Sequence, residues 1–188
     1  MQVGLLRAQF VNIGTSKNTT NCSSYCKLVL VVNGKPLYVN AFDMAFYKAL
    51  TLKKGQYIEG YPDFCPYTDK QTGKLRLAFK LRNFKVIDKP VKEGLYAEDE
   101  GIVGSLDVHE AAGKGCTLIS VKSSKVITQK GQDQQPRKSY LRLLQNSYIL
   151  DIINNKDKVK YSGYLDVSSN DRIIFDEILN IQKEKEYV

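Results

Sequence analysis

Lys74, Arg76, Lys80 and Arg82 occupy even positions of a run, residues 74–84, in which Leu75, Leu77, Phe79 and Leu81 take odd ones. Side chains alternate between the two faces of a strand, so the pattern buries the apolar set and lines the other face with cations. A uniformly cationic face can track phosphates, while a solvated sheet edge guarded by lysines is the plainer alternative. Just upstream, the prolines of residues 62–69, PDFCPYTD, exclude a regular central strand and leave Phe64 and Tyr67 without an obvious core position. These rings either cover a barrel end or offer flat surfaces to nucleobases. Aromatic rings beside cations are what a single nucleic-acid strand requires, which favours the second.

Other chemistries find less in the sequence. His109 is the single histidine, with no Ser or Cys nucleophile in a recognisable elbow beside it. No P-loop, dinucleotide fingerprint or H-E-x-x-H occurs. Cys22 and Cys26 form a C-x3-C pair that would need Cys65 and either Cys116 or His109 to complete a zinc site. Because those further ligands are scattered singly, ordinary thiols are expected, with no metal and no cofactor. The reading is therefore a binding protein and not an enzyme.

Charge is divided unevenly. The chain carries a net +8, yet residues 1–92 hold 15 Lys/Arg against 5 Asp/Glu and residues 93–188 hold 13 against 15. Positive potential concentrated in one half favours a polyanionic partner through counterion release and faster encounter. An acidic protein could use the charge too, but would not need the aromatics. No apolar run approaches the roughly 18 residues of a membrane span. Arg7 also interrupts what would be the apolar core of a secretion signal, so a cytoplasmic location without a membrane partner is expected.

The elements that must position these residues can be read in order. Residues 2–13 form a first strand, followed by a polar loop over 15–24. Residues 28–32 and 35–42 are strands joined by Asn33-Gly34, a pair suited to the positive φ angles of a type I′ hairpin turn. Within 35–42, Leu37, Val39 and Ala41 alternate with Tyr38, Asn40 and Phe42. Asp43 is placed to cap a helix carrying Phe46, Ala49 and Leu50 on one side and ending at Lys53-Lys54-Gly55. A strand over 56–61 and the cationic run over 74–84 complete the order strand, strand, strand, helix, strand, strand. That is the order of an OB-fold, a five-stranded Greek-key barrel with a helix between its third and fourth strands.

At Phe42, Lys54-Gly55 and Tyr57-Ile58-Glu59-Gly60, with Tyr67 seven residues further on, the chain resembles the bacterial single-stranded DNA-binding proteins and their phage and plasmid relatives. The resemblance covers roughly half the chain. It implies a base-stacking role for Tyr67 and a place in DNA replication, recombination or transfer, among the proteins of those processes. The chain has no Trp, and its last residues, KEKEYV, are mixed in charge where that family often ends in an acidic peptide. The absence of that family-type acidic tail favours an accessory or mobile-element protein over a housekeeping one.

The second half repeats the order. Val103-Gly104-Ser105-Leu106 echoes Val3-Gly4-Leu5-Leu6, Asn146 can cap a helix bearing Ile149, Ile152 and Ile153, and Gly163-Tyr164 stands as Gly60-Tyr61 does. Residues 116–128, 137–144, 158–167 and 172–181 supply the remaining strands. The fold expected is mainly β: two tandem OB-fold domains, residues 1–92 and 93–188, each with a short helix between strands 3 and 4. The first would bind single-stranded DNA without strong sequence preference. Bases would stack on Tyr38, Phe42, Tyr61, Phe64 and Tyr67, and Lys35, Lys74, Arg76, Lys80 and Arg82 would follow the backbone. RNA in the same groove, or an OB-fold scaffold docking an acidic protein, are the alternatives. An ungapped alignment of the halves sets Gln145 opposite Phe42 and turns Arg142 inward, and the last strand of the second half carries Asp176 and Glu177 where that of the first carries Lys and Arg. A one-residue slip ahead of the helix would return Tyr140 and Arg142 to the surface. The second domain is thus expected to serve self-association or a protein partner, with Ile174 as a contact.

Overall fold

Asn33 and Gly34 take φ angles of 49° and 78°. Both lie in the left-handed region that a type I′ turn demands, and the turn fixes the register of the hairpin it closes. The computed structural model describes residues 2–18, 24–65, 67–69, 71–73, 75–107, 115–123, 138–169 and 172–184. The chain divides into two units: Val3–Tyr96 with Val167–Asp171, and Ala97–Asp166 with Met1–Gln2 and Arg172–Val188.

The first unit contains β1 (Gln2–Asn18), β2 (Ser24–Val32), β3 (Lys35–Phe42), α1 (Asp43–Ala49), β4 (Tyr57–Gly60), β5 (Asp63–Phe64), β6 (Tyr67–Thr68), β7 (Leu75–Arg76), β8 (Phe79–Leu81) and β9 (Phe84–Ile87). β1 pairs antiparallel with β2, β2 with β3, β3 runs parallel to β8, and β9 pairs with β4, which returns to β1. With β8 and β9 as two halves of one fifth strand, the ring is closed. Leu6, Ala8, Cys26, Leu28, Leu30, Val39, Ala41, Ile58 and Leu81 point inward and are fully buried. Register shifts in β1 at Phe10/Asn12 and Ile13/Ser16 mark bulges that bend the long strand, as closure of so small a barrel requires. At Gly60 a Cβ would come within 2.9 Å of Leu81 Cδ1 and 3.0 Å of the Asn83 carbonyl oxygen, so a larger residue would force its neighbours at that junction to shift.

Several local expectations change. The run 74–84 is not one strand but β7, β8 and β9, because the chain leaves β3 for β4 at Arg82-Asn83; Lys74 lies outside the described residues. Asp43 does not cap α1. It is the first helical residue, with φ 52°, Phe42 stands at the N-cap, and the Asp43 carboxylate accepts from Arg82 Nη1 at 2.8 Å. The free N–H of Ala45 is satisfied instead by the Arg82 carbonyl at 2.9 Å. α1 stops at Ala49 and not at Lys53, and it buries Ala45 and Ala49 while Leu50 is exposed. The expected polar loop over 15–24 is shortened, since β1 runs to Asn18 and β2 starts at Ser24.

The second unit contains β10 (Gly94–Asp107), β11 (Cys116–Ser123), β12 (Lys138–Leu144), α2 (Ile149–Ile152), β13 (Lys158–Leu165) and β14 (Ile173–Lys183). The order β11-β12-β14-β13-β10, with β10 also pairing β11, is again a closed five-strand ring with its third and fifth strands parallel. Asn146 is not the cap of α2: Tyr148 is, and Ser147 Oγ accepts the Ile149 N–H at 3.4 Å. The core includes Ile119, Val121, Leu141, Val159 and Phe175, and the carboxylate of Asp99 is buried with it. Asp99 accepts hydrogen bonds from Ser123 Oγ at 3.1 Å, Ser139 Oγ at 3.2 Å and the Tyr161 hydroxyl at 3.3 Å. Burial and the Asp99 charge push the Tyr161 phenol well above its ordinary range.

The seam β9–β4–β1 of the first barrel carries Glu59 between Lys85 and Arg7, each 2.7 Å away. Hydrogen bonds from Lys85 and Arg7 hold the Glu59 carboxyl below the usual glutamate range. A carboxyl depressed in the folded state stabilises above its unfolded pKa of about 4.3 and loses that contribution as pH falls through the folded value. Glu59→Gln should therefore melt below the wild type at neutral pH. The gap between the two melting temperatures, followed by circular dichroism, should narrow as pH drops below about 4. A gap that stays constant into the acid range would show that the pair contributes nothing to folding.

Candidate nucleic-acid interface

The outward faces of β2, β3 and β8 form one continuous surface. Counting back from the turn sets Val29 opposite Tyr38, Lys27 opposite Asn40 and Tyr25 opposite Phe42, while the parallel neighbour sets Asn40 beside Lys80. Tyr25 and Phe42 stack with centroids 5.0 Å apart and planes at 19°. Lys27 Nζ lies 5.7 Å from the Tyr38 centroid, and Lys80 Nζ lies 5.7 Å from that of Phe42. Tyr38 is 52% exposed; Phe42 is half-buried by its neighbours.

The remaining expected residues surround this face less closely. Phe64 is half-buried and packs its ring 5.5 Å from Phe79, a core residue, which β5–β8 pairing brings opposite. Tyr67 and Arg76 face each other in the separate β6–β7 hairpin, where Arg76 Nε lies 3.6 Å from Asp69. Asp69 also accepts the N–H groups of Gln71 and Thr72, and those bonds hold its carboxyl below the ordinary aspartate range. Tyr61 follows β4 and is 73% exposed. Lys35 opens β3 opposite Val32. Arg82 is engaged by Asp43 at 2.8 Å and Asp63 at 3.6 Å. Of the ten expected residues, Tyr38, Phe42 and Lys80 thus share one face with Tyr25 and Lys27, which the sequence reading missed. The signal for both was present: a two-residue turn at 33–34 dictates that residues 25 and 42, and 27 and 40, sit opposite each other.

Among the thiols, Cys26 is fully buried, Cys65 and Cys116 are half-buried, and Cys22 and His109 lie outside the described residues. Burial pushes the Cys26 thiol up, away from the metal-binding thiolate.

The corresponding face of the second barrel differs in chemistry. Leu141 lies beside Phe175 as Val39 lies beside Phe79, which matches Tyr140 to Tyr38, Arg142 to Asn40, Leu144 to Phe42 and Asp176 to Lys80. The one-residue slip is therefore the register adopted. Ser139, Leu141 and Leu143 are buried, Tyr140 and Arg142 face outward, and Leu144, not Gln145, stands where Phe42 does. Arg142 Nη1 donates to Asp166 at 3.2 Å and to Asp176. Ile174 is only 8% exposed and packs on Leu118 with Cys116 and Tyr140, so it is not the free contact surface expected of it.

The closed five-strand barrel, mainly β with two short helices, has the strand order of an OB-fold. No protein-family model and no curated protein matches the chain. Among solved structures, a deletion mutant of the single-stranded DNA binding protein from Thermus aquaticus superposes with a TM-score of 0.63 at 12% identity, over 100% of this chain and 96% of that one. The wild-type Thermus aquaticus protein gives 0.62 at 12% identity, over 99% and 94%. At this identity the likeness is one of fold, and it spans nearly the whole of both chains.

The Tyr25–Phe42 stack should be energetically coupled. In a double-mutant cycle read by urea unfolding, Tyr25→Ala and Phe42→Ala should be non-additive by about 0.5–1.5 kcal/mol. Strict additivity would mean that the two rings are neighbours without being partners.

Proposed function

We propose that this chain is a sequence-tolerant single-stranded DNA-binding protein built from two tandem OB-fold domains, divided near residue 92, and that the first domain carries the site. The observation that carries the reading is the joint placement of Tyr25, Tyr38 and Phe42 with Lys27 and Lys80 on one face, in the half where cations outnumber acids threefold. Flat rings accept any base and lysines accept any phosphate, which explains binding without sequence preference. The fold shared with the Thermus aquaticus single-stranded DNA binding protein supports it. Tyr61, Tyr67, Lys35 and Arg76 extend the path around the face, Lys74 is assigned to it from the sequence alone, and Phe64, on Phe79, supports it from below. Arg82 contributes less, because Asp43 and Asp63 already engage it.

In this reading the second domain is the weaker nucleic-acid partner and serves self-association or a protein contact. An acid replaces Lys80 there, Arg142 is bound to two carboxylates, and Leu144 and Cys116 replace the stacked pair. The biological setting is DNA replication, recombination or transfer on a phage, plasmid or chromosome, in the cytoplasm.

Matched positions in the two barrels provide the test. By fluorescence anisotropy on labelled oligo-dT, Tyr38→Ala in the full chain should weaken binding by about 1–3 kcal/mol. Tyr140→Ala should leave the affinity within about twofold. Lys80→Ala should make the log–log salt dependence shallower by about 0.7. Mixed-sequence duplex should compete poorly. Equal binding of oligo-U would widen the ligand class to RNA, and a larger loss at Tyr140 than at Tyr38 would reverse the assignment of the two domains.

A further inference from the structure

We infer that Lys27 and Lys80 are exchange residues: each ammonium rests on the ring that a nucleobase will occupy and reaches a backbone phosphate only when a base displaces it. This rests on the reading of the β2–β3–β8 face as a single-stranded DNA interface and adds to it a rule of selection. A ligand must bring base and phosphate together.

The geometry gives each ring a present occupant. Lys27 Nζ and Lys80 Nζ both stand 5.7 Å from the centroids of Tyr38 and Phe42, inside the roughly 6 Å range over which a ring quadrupole attracts a cation. Phe42 is flanked from both sides of β3, by Tyr25 from β2 at 5.0 Å and by Lys80 from β8. A base that stacks on Phe42 must move one of them. Tyr25 has only two side-chain torsions and a packed ring, whereas Lys80 is a point charge on a flexible four-carbon stem, so the lysine yields. Among the described residues, neither lysine lies within salt-bridge distance of a carboxylate, while Arg76 and Arg82 both do. The ammonium leaving the ring therefore breaks no ion pair, and a phosphate of the incoming nucleotide receives it.

Three ligand classes then separate. A polyanion without bases leaves both lysines on their rings. A base without phosphate takes the ring but strands the ammonium. A single strand with both satisfies both. The lysines are positioning residues for selection, and their signature is a salt dependence that itself depends on the presence of bases.

The experiment uses the full chain and two labelled probes of equal length, oligo-dT and an abasic oligodeoxynucleotide, each titrated by anisotropy over a range of salt. For the wild type, the log–log slope on oligo-dT should be steeper than on the abasic strand by about 1.4, from two phosphate contacts at about 0.7 each. The double variant Lys27→Met, Lys80→Met keeps the aliphatic stems and should give one slope for both probes, while Lys27→Arg, Lys80→Arg should restore the difference. Should the double Met variant fail to fold by circular dichroism, Lys27→Met alone, at an exposed position, carries the test with a reduction of about 0.7. Equal wild-type slopes on the two probes, or a difference that survives the Met substitutions, overturn the exchange while leaving single-strand binding standing. Failure of the wild type to bind oligo-dT at low salt overturns the reading beneath it as well.

Discussion

The first barrel depends on how its fifth strand changes partners. β8 runs with β3, β9 runs with β4, and at Arg82-Asn83 the backbone belongs to neither ladder. Polar groups left open at such a break need partners, and α1 supplies them. The Ala45 N–H donates to the Arg82 carbonyl, Lys48 Nζ donates to Asn83 Oδ1 and the Phe84 carbonyl at 2.8 Å each, and Asp43 receives the Arg82 guanidinium. A short helix between the third and fourth strands thus fastens the fifth. Because β3 ends where α1 begins, the same clasp sets the place of Phe42 at the end of β3 and of Lys80 two residues before Arg82. The outward face of β3 and β8 inherits its geometry from the closure.

The two units show what a shared strand order leaves free. Inward positions keep their character: Val39 beside Phe79 becomes Leu141 beside Phe175. Outward positions do not. Between the units Lys27 becomes Leu118, Asn40 becomes Arg142 and Lys80 becomes Asp176. The exchange of Asn40 and Lys80 for Arg142 and Asp176 converts an open cation into an internal ion pair, joined by Asp166 from the end of β13. Two carboxylates already offset the Arg142 guanidinium, so that spot offers a phosphate no net positive charge. One architecture therefore carries two surfaces of opposite disposition, which is why fold and site must be argued separately.

The strands and the hairpin turn were legible because alternation and Asn-Gly are local signals that tertiary packing rarely overrides. The misreadings arose where long-range contacts decide. Asp43 has the composition of a cap, yet a partner 39 residues away claims its carboxylate. Leu50 has the composition of a core residue, but α1 is only one or two turns long and its small residues, Ala45 and Ala49, make the close approach to the barrel. The run 74–84 alternates without fault, and no local feature announces that the strand must break to serve two neighbours. Tyr25 and Lys27 stood in plain view in β2. No charge run marks them locally, and only the register set by the Asn33-Gly34 turn brings them opposite Phe42 and Asn40.

Net charge counts every cation alike, and the structure does not. The first 92 residues hold five acids. Asp43 and Asp63 face Arg82, Asp69 faces Arg76, and Glu59 is held between Arg7 and Lys85 on the far seam of the barrel. The acids are thus spent largely on arginines, whose planar forks bind carboxylates well and stiffen loops and seams. Lys27 and Lys80 are placed on aromatic rings and not on carboxylates. A cation–ring contact is weak enough to be exchanged, whereas an ion pair would first have to be broken. Charge so unevenly divided favours long-range attraction of any polyanion, and among the described residues the paired arginines and ring-seated lysines separate charges held by carboxylates from charges that are not.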